Sequence, residues 1–171
     1  MVKYVIDSNA LIDAFNTYYK NDIFPTVWNF IESHIESEDL IIIDKVCNEL
    51  QRQNDELKEW INGIDKNKIL NTTEDVDVMS EYQKIQKYIV NSGCWKSAGY
   101  LQWSGYEKAD PWLIATAMHF DYTIVTHERA RPRMDKSHPS KREPKITVVA
   151  DNFGVETIKI YDLLEKLKFS A

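Results

Sequence analysis

The sequence predicts an α/β fold, in which helices cover both faces of a short, mostly parallel central sheet in a three-layer α/β/α arrangement. Short apolar runs of four to six residues alternate along the chain with helical patterns. Continuous apolar runs of this kind are typical of parallel strands that are buried on both faces. No repeat, low-complexity tract or long linker interrupts the alternation, so residues 1–171 are predicted to form a single domain.

The N-terminal part supplies the first strands and helices of this prediction. Residues 2–6 form the first strand and residues 8–15 the first helix. The apolar run at 40–43 predicts a second strand, and Asp44 is expected to cap a helix that reaches about residue 54. A further helix is predicted at 56–62. Another helix is predicted between the first helix and the second strand. Its apolar face is formed by side chains at helical spacing, namely Val27, Phe30, Ile31, His34 and Ile35.

The C-terminal part continues the alternation. Thr72 and Thr73 are expected to cap a helix on which Val78 and Ile85 lie on the apolar face. Residues 91–108 hold three of the five glycines and are predicted to be loop or irregular helix. The remaining predicted elements are a buried helix at 109–120, strands at 122–126, 146–149 and 155–160, and a helix at 161–169.

Composition and cysteine content narrow the class of protein. With 43% hydrophobic and 28% charged residues, the chain is expected to be soluble and globular. No apolar run approaches the roughly 18 residues of a membrane span, and no signal peptide is recognisable. Cys47 and Cys94 are isolated thiols without a C-x-x-C spacing, which argues against a zinc site and favours two small core residues. A cytoplasmic protein without a membrane partner is therefore expected.

Positive charge is concentrated in residues 129–145, here called the basic segment. This stretch, "RARPRMDKSHPSKREPK", holds seven Lys or Arg residues against two acids, a net charge of +5. Because the whole chain carries −6, the other 154 residues carry −11. The asymmetry indicates an acidic body beside one basic loop. A loop that needs its charge only for solvation is the other interpretation.

Four acids follow predicted strands or begin helices beside them. Asp7 follows the first strand, and Glu128 follows the strand at 122–126. Glu49 lies on the helix after the second strand, and Asp110 starts the buried helix. Ligands in parallel α/β sheets bind at the carboxyl ends of the strands, so the four acids could meet there. Each acid also has a purely structural interpretation. Asp7 and Asp110 are suited to cap helices, Glu49 to face solvent at the border of its helix's apolar face, and Glu128 to be an acidic residue of a surface loop.

A divalent cation bound between these carboxylates would offset their mutual repulsion. Acids that converge within a few ångströms repel one another, and burial raises their pKa values unless a cation lies between them. Hard oxygen ligands without Cys or His suit Mg²⁺ or Mn²⁺ better than zinc. The pattern therefore predicts a Mg²⁺ or Mn²⁺ site.

In this order and spacing, the motifs resemble those of the PIN-domain nucleases, which include the VapC-type toxins. The resemblance rests on "YVIDSNALID", Glu49, "ADPWLIATA" and "IVTHE", and it spans nearly the whole chain. It implies a PIN-like fold and an endoribonuclease that hydrolyses RNA phosphodiester bonds with Mg²⁺ or Mn²⁺, leaving 5′-phosphate and 3′-hydroxyl ends. Glu128 stands where the family usually has Asp; the extra methylene leaves its metal role open.

The resemblance also implies roles for individual residues and partners. Catalytic and metal-binding roles fall on Asp7, Glu49, Asp110 and Glu128. Ser8, Asn9 and Thr126 would fix the orientation of these carboxylates. RNA phosphates would contact the arginines of the basic segment that lie nearest the site, which are Arg129, Arg131 and Arg133, although solvated surface charge is the alternative for each. A toxin of this type implies an antitoxin protein as partner and a possible homodimer.

Two further interpretations stay open. The aromatic segment, residues 91–108, either stacks the bases of single-stranded RNA or packs under a long loop; its aromatic side chains are Trp95, Tyr100, Trp103 and Tyr106. For the whole chain, the alternatives to a toxin are a housekeeping RNA-processing nuclease and a non-catalytic RNA- or protein-binding module. Serine hydrolase and NTPase chemistry is discounted, because neither motif is present.

Overall fold

A five-stranded parallel sheet lies at the centre of the protein. The structure is a computed structural model that describes residues 2–53, 56–129 and 134–170. Within them the strand order is β3-β2-β1-β4-β5, and every strand pair is parallel. Helices flank the sheet, so the predicted three-layer α/β/α class is confirmed. The strands are β1 (Tyr4–Ile6), β2 (Leu40–Ile43), β3 (Ile69–Leu70), β4 (Thr123–Val125) and β5 (Thr157–Ile158).

Nine α-helices occur among the described residues, and most follow the predicted positions. They are α1 (Ser8–Asp13), α2 (Pro25–Glu36), α3 (Asp44–Gln51), α4 (Glu56–Gly63), α5 (Val76–Asn91), α6 (Ser97–Tyr100), α7 (Ala109–Phe120), α8 (Ile146–Asn152) and α9 (Ile160–Lys166). A π-helical turn, Ala14–Tyr18, extends α1, and short 3₁₀ turns lie at Lys66–Lys68 and Leu101–Trp103. The sequence did not predict the π-helical turn or the edge strand β3.

The buried apolar side chains form one cluster that extends from Tyr4 to Leu164. All three residues of β1 are buried, as are all three of β4. In α7, Ala109 and residues 111–117 are buried. A helix that is apolar on all sides lies in a core, as "ADPWLIATAMHF" predicted. Cys47 and Cys94 are buried free thiols within this cluster, which confirms their predicted packing role.

The register of the central strands places their carboxyl ends at one edge of the sheet. Ile6 of β1 pairs with Val125 of β4, and the Asp7 N–H donates to the Val125 carbonyl at 2.9 Å. On the other side, Val5 pairs with Ile41 of β2. The residues that follow β1, β2 and β4 therefore leave the sheet together, and α3 begins directly at this edge.

The predicted strand at 146–149 is wrong, because these residues begin α8. The β-branched run "ITVV" favours a strand by propensity alone. However, Ile146, Val149 and Ala150 are the residues that become buried, and their spacing is that of one helix face. The Glu128 carboxylate accepts a hydrogen bond from the Ile146 N–H at 2.8 Å and so caps the first turn. A residue 18 positions away thus supports the start of the helix.

Several predicted helix caps are also wrong, each by one to three residues. Helix α7 covers the predicted residues 109–120, but Lys108 rather than Asp110 is at the cap position, and Asp110 lies in the first turn. Asp44 is the first residue of α3, and its carboxylate accepts from the Thr72 N–H and hydroxyl instead. The cap of α5 is Asp75, which accepts from two backbone amides of the first turn. Two of the predicted caps, Asp44 and Thr72, hydrogen-bond to each other instead.

The aromatic segment packs against the basic segment. Trp95 and Trp103 are buried, which confirms the packing interpretation for these two rings, whereas Tyr106 is 51% exposed. The Ser140 N–H donates to the Cys94 carbonyl at 2.9 Å, and the Lys96 N–H donates to the Ser140 carbonyl at 2.8 Å. The described part of the basic segment is therefore fixed to the aromatic segment by backbone hydrogen bonds.

Gly99 permits this close approach, so Gly99→Ala is expected to destabilise the protein by about 1–3 kcal/mol. A Cβ at this position would lie 2.5 Å from the Arg142 carbonyl oxygen and 3.1 Å from that of Ser140. Both neighbours are backbone atoms, so the two segments must separate. Urea unfolding measures the loss. Gly105→Ala is the matched control, because a Cβ at Gly105 meets nothing within 4 Å. Equal stabilities of the two variants would contradict the expectation.

No helix among the described residues is long and apolar enough to cross a membrane.

Candidate active site

Glu49 connects three helices at the carboxyl edge of the sheet. Its Oε2 accepts a hydrogen bond of 2.5 Å from the Ser8 hydroxyl at the start of α1. Its Oε1 accepts from the Ala109 N–H, the first residue of α7, at 3.3 Å. The Ser8 hydroxyl also lies 3.4 Å from Asp7 Oδ1. Asp7, Glu49 and the start of α7, which carries Asp110, therefore lie together; these three acids are called the acidic site below.

Asp7 lies deepest in the acidic site, with 3% of its surface exposed. The Thr126 hydroxyl donates to Asp7 Oδ2 at 2.8 Å and accepts from the Glu128 N–H at 3.1 Å. Asn9 Oδ1 accepts from the His127 N–H at 2.8 Å, which fixes the chain after β4 against α1. Ser8, Asn9 and Thr126 thus lie beside the acids, where they were predicted.

Two lysines that the sequence interpretation overlooked contact the predicted acids. Lys108 Nζ lies 2.9 Å from Asp110 Oδ2. Lys145 Nζ lies 2.7 Å from Glu128 Oε1, and Glu128 Oε2 accepts from the Ile146 N–H. Both Glu128 oxygens therefore have protein donors, and its metal role stays a prediction. Lys108 could have been found from its position two residues before Asp110. For Lys145, the sequence offered only its place in the basic segment.

Burial and mutual repulsion favour the protonated forms of two of the acids. Burial raises the pKa of Asp7 to about 8, and Asp110 and Glu49 add to the effect, while the Thr126 hydrogen bond opposes it. Burial likewise raises the pKa of Asp110 to about 6, although Lys108 lowers it. Glu128 and Glu49 raise the pKa of Asp110 further, so both lie within electrostatic reach. The acidic site has more negative charge than its lysine partner neutralises.

The donor set of the acidic site fits a hard divalent cation. Three carboxylates and two hydroxyls supply oxygen only, which suits Mg²⁺ or Mn²⁺. The acids are neighbours but do not form a closed ligand set. Among the described residues, one group of three His, Cys, Asp or Glu side chains has its possible ligand atoms within 4.8 Å of one another, and it consists of Asp75, Asp77 and His119. Asp75 already caps α5, so that group needs no ion to explain it.

The predicted phosphate-binding arginines are only partly described. Arg129 is exposed and directly follows Glu128. Arg131 and Arg133 lie outside the described residues, so their predicted contacts with RNA stay predictions.

A family model described as a domain of unknown function (DUF4411) matches residues 4–171. The chain belongs to the DUF4411 family. No curated protein matches it. The match includes β1 through α9, so all residues of the acidic site lie within the DUF4411 domain.

In this DUF4411 domain, Thr126→Val is expected to weaken Mn²⁺ binding about 10- to 100-fold, because Thr126 orients Asp7. Valine keeps the shape and burial of the side chain but removes the hydroxyl that donates to Asp7 at 2.8 Å. Losing this donor raises the pKa of Asp7 further and so disfavours the carboxylate form that binds a metal. Isothermal titration with Mn²⁺ at pH 7 measures the change.

Thr123→Val is the matched control for this DUF4411 variant, because Thr123 is also a buried threonine of the β4 region. Its hydroxyl contacts Glu156 at 3.1 Å rather than an acid of the site. Equal Mn²⁺ affinities of the two variants would exclude Thr126 from metal binding.

Proposed function

We propose that this protein is a metal-dependent endoribonuclease with a PIN-like fold, acting as the toxin of a toxin–antitoxin pair. The observation that carries the proposal is the bridging position of Glu49, whose two oxygens contact Ser8 beside Asp7 and the amide beside Asp110. Acids from three separate chain regions thereby meet at the edge of the sheet where α/β folds bind ligands. The raised pKa values of Asp7 and Asp110 support a site built for a cation.

Asp7, Glu49 and Asp110 would hold the metal in this proposal. A bound Mg²⁺ or Mn²⁺ supplies Lewis-acid polarisation of a phosphate oxygen and a water of lowered pKa. The chain itself positions the acids: Ser8 and Thr126 donate to them, and burial excludes water. The basic segment attracts the RNA backbone and makes its affinity dependent on salt.

A second candidate, a non-catalytic RNA- or protein-binding module, is favoured by a specific observation. Lys108 and Lys145 already pair with Asp110 and Glu128, and the acids form no closed ligand set among the described residues. In this candidate the ion pairs are purely structural. Millimolar Mn²⁺ then leaves the melting temperature unchanged, whereas a nuclease site gains stability with Mn²⁺.

Incubation of purified protein with end-labelled cellular RNA tests the nuclease proposal. We expect cleavage in Mn²⁺, none in EDTA, and products with 5′-phosphate and 3′-hydroxyl ends. Glu49→Gln keeps the size of the side chain and should abolish cleavage. Asp77→Asn is the control and should cleave normally, because it removes an exposed carboxylate that lies near Asp75 and His119 and not in the acidic site. Cleavage by Glu49→Gln at the wild-type rate would contradict the proposal.

Induced expression separates a toxin from a housekeeping nuclease. A toxin arrests growth on induction, Asp7→Asn does not, and co-expression of an antitoxin partner restores growth. Growth without arrest, together with Mn²⁺-dependent cleavage in vitro, would favour the housekeeping role. Size-exclusion chromatography coupled to light scattering tests whether the protein forms a homodimer.

A further inference from the structure

A continuous chain of ion pairs joins Asp110 to Glu128. Lys108 Nζ lies 2.9 Å from Asp110 Oδ2 and 3.3 Å from Glu143 Oε2. The other oxygen of Glu143 lies 3.4 Å from Lys145 Nζ, which pairs with Glu128 at 2.7 Å. Glu143 therefore contacts both lysines, and each lysine contacts one of the predicted acids.

Of the two lysines in this series of ion pairs, Lys108 is the one that contacts a residue of the acidic site, Asp110. Its side chain is 31% exposed, so Lys108 pairs with two carboxylates without being fully buried. An ammonium has three N–H donors. Among the described residues, Asp110 and Glu143 are the two side chains that pair with this ammonium, which leaves a third N–H for another acceptor.

We propose that Lys108 is a further catalytic residue, whose ammonium contacts a non-bridging oxygen of the phosphate being cleaved, and that Glu143 positions it. The inference rests on the nuclease function proposed above. In the reaction, a water oxygen forms a bond to phosphorus and the bond from phosphorus to the 3′ oxygen breaks. One water proton leaves to solvent, and the 3′ oxygen gains a proton. Negative charge on the non-bridging oxygens is stabilised by the fixed ammonium.

Glu143 makes this position of Lys108 depend on the basic segment. Ser140, three residues earlier, is fixed to the aromatic segment by two backbone hydrogen bonds. Glu143 and Lys145 thus extend from an anchored backbone towards the acidic site. The basic segment therefore has two roles in this inference: its arginines attract RNA, and its C-terminal residues orient the cation at the reacting phosphate.

Lys108→Met tests the catalytic role, because methionine keeps an unbranched side chain and removes the charge. We expect kcat/KM for RNA cleavage to fall about 100-fold, and at least 10-fold. Affinity for Mn²⁺, measured by isothermal titration, should stay equal or rise, because a cation that competes for Asp110 is removed. Lys84→Met is the matched control: its ammonium pairs with Glu81 at 2.7 Å on α5, and its side chain is 58% exposed.

The outcomes separate this inference from the proposed function. If wild type cleaves RNA and Lys108→Met stays within 10-fold of it, only the inference is overturned. Loss of Mn²⁺ affinity together with activity also overturns it, because Lys108 would then merely build the metal site. A wild type that cleaves no RNA in Mn²⁺ contradicts both. Lys108→Arg, which keeps the charge, should recover at least 10-fold over Lys108→Met; no recovery would count against the ammonium as a charge donor.

Glu143→Gln tests the positioning role. We expect kcat to fall at least fivefold while KM changes less than twofold, because the lysine is still present but no longer oriented. A variant that merely unfolds the basic segment would raise KM as well, since the phosphate contacts proposed for that segment would be lost. An unchanged kcat, or a rise in KM alone, would remove Glu143 from the mechanism.

Discussion

Replacing Asp7 by Asn is expected to abolish RNA cleavage and, at the same time, to stabilise the metal-free protein at pH 8. The amide has the shape of the carboxyl group and retains an oxygen that can accept from Thr126. It cannot carry the negative charge that a divalent cation requires. Loss of a residue at the centre of a catalytic site reduces activity by about 10³-fold or more.

The stabilisation follows from the pKa of Asp7. Burial raises it from the ordinary value of 3.8 to about 8. Between these pH values the folded protein binds more protons than the unfolded chain, so its stability falls as pH rises. The favourable contribution of protonated Asp7 is complete below about pH 4 and is lost as pH rises through about 8. The slope has an upper limit of about 1.4 kcal/mol per pH unit, and Asp7→Asn lacks this slope.

Urea unfolding in EDTA at pH 5 and pH 8 measures this difference. We expect the gap between wild type and Asp7→Asn to widen in favour of the variant at pH 8. Adding Mn²⁺ should stabilise wild type and not the variant. Asp77→Asn, an exposed acid on α5, should behave as wild type in both respects. The same difference in stability between Asp7→Asn and wild type at pH 5 and at pH 8 would contradict the raised pKa of Asp7.

Replacing Trp112 by Ala is expected to destabilise the protein by about 3–5 kcal/mol. The side chain is 1% exposed and lies in α7, two residues after Asp110. Its ring stacks on Tyr82 of α5, with 3.9 Å between ring centroids, and its Nε1–H donates to the Tyr106 carbonyl at 2.9 Å. The alanine variant loses both contacts and leaves a cavity beside the first turn of α7.

Cleavage by Trp112→Ala should also fall, by about 100-fold, because displacement of α7 moves Asp110 relative to Glu49. Chemical denaturation measures stability, and cleavage assays below the melting temperature of the variant measure activity. Trp112→Phe is the control: it keeps an aromatic ring that can stack on Tyr82, and it loses the hydrogen bond to Tyr106 and the volume of one ring, at a smaller cost of about 1–3 kcal/mol. Equal losses in the two variants would contradict the role assigned to stacking.

The positions of the acids followed from the sequence because they depend on local pattern. Asp7 follows one buried strand, and Thr126 and Glu128 follow a second. Their common edge can be predicted from the alternation of apolar runs and the geometry of parallel strands alone. The almost wholly apolar sequence of α7 likewise predicted its place in the core. These features are encoded within a few consecutive residues.

The ion pair between Glu128 and Lys145 and the fold of residues 146–149 did not follow from the sequence, because the partners are distant in sequence. Glu128 and Lys145 are 17 residues apart, and each was assigned a different role. The same Glu128 caps α8, which overrides the strand propensity of "ITVV". A sequence with 21 basic and 27 acidic residues offers many pairings, so the partner of each charge is a tertiary property.

The central position of β1 has a consequence for biosynthesis. Its neighbour β4 and the Thr126 hydroxyl that reaches Asp7 come 119 residues later in the chain. The ribosome must therefore translate 119 further residues before β1 gains β4 as a neighbour, and such non-local pairing forms slowly. If the protein cleaves RNA, the nascent chain is harmless to its own transcript until that point, because the catalytic pocket has not yet assembled.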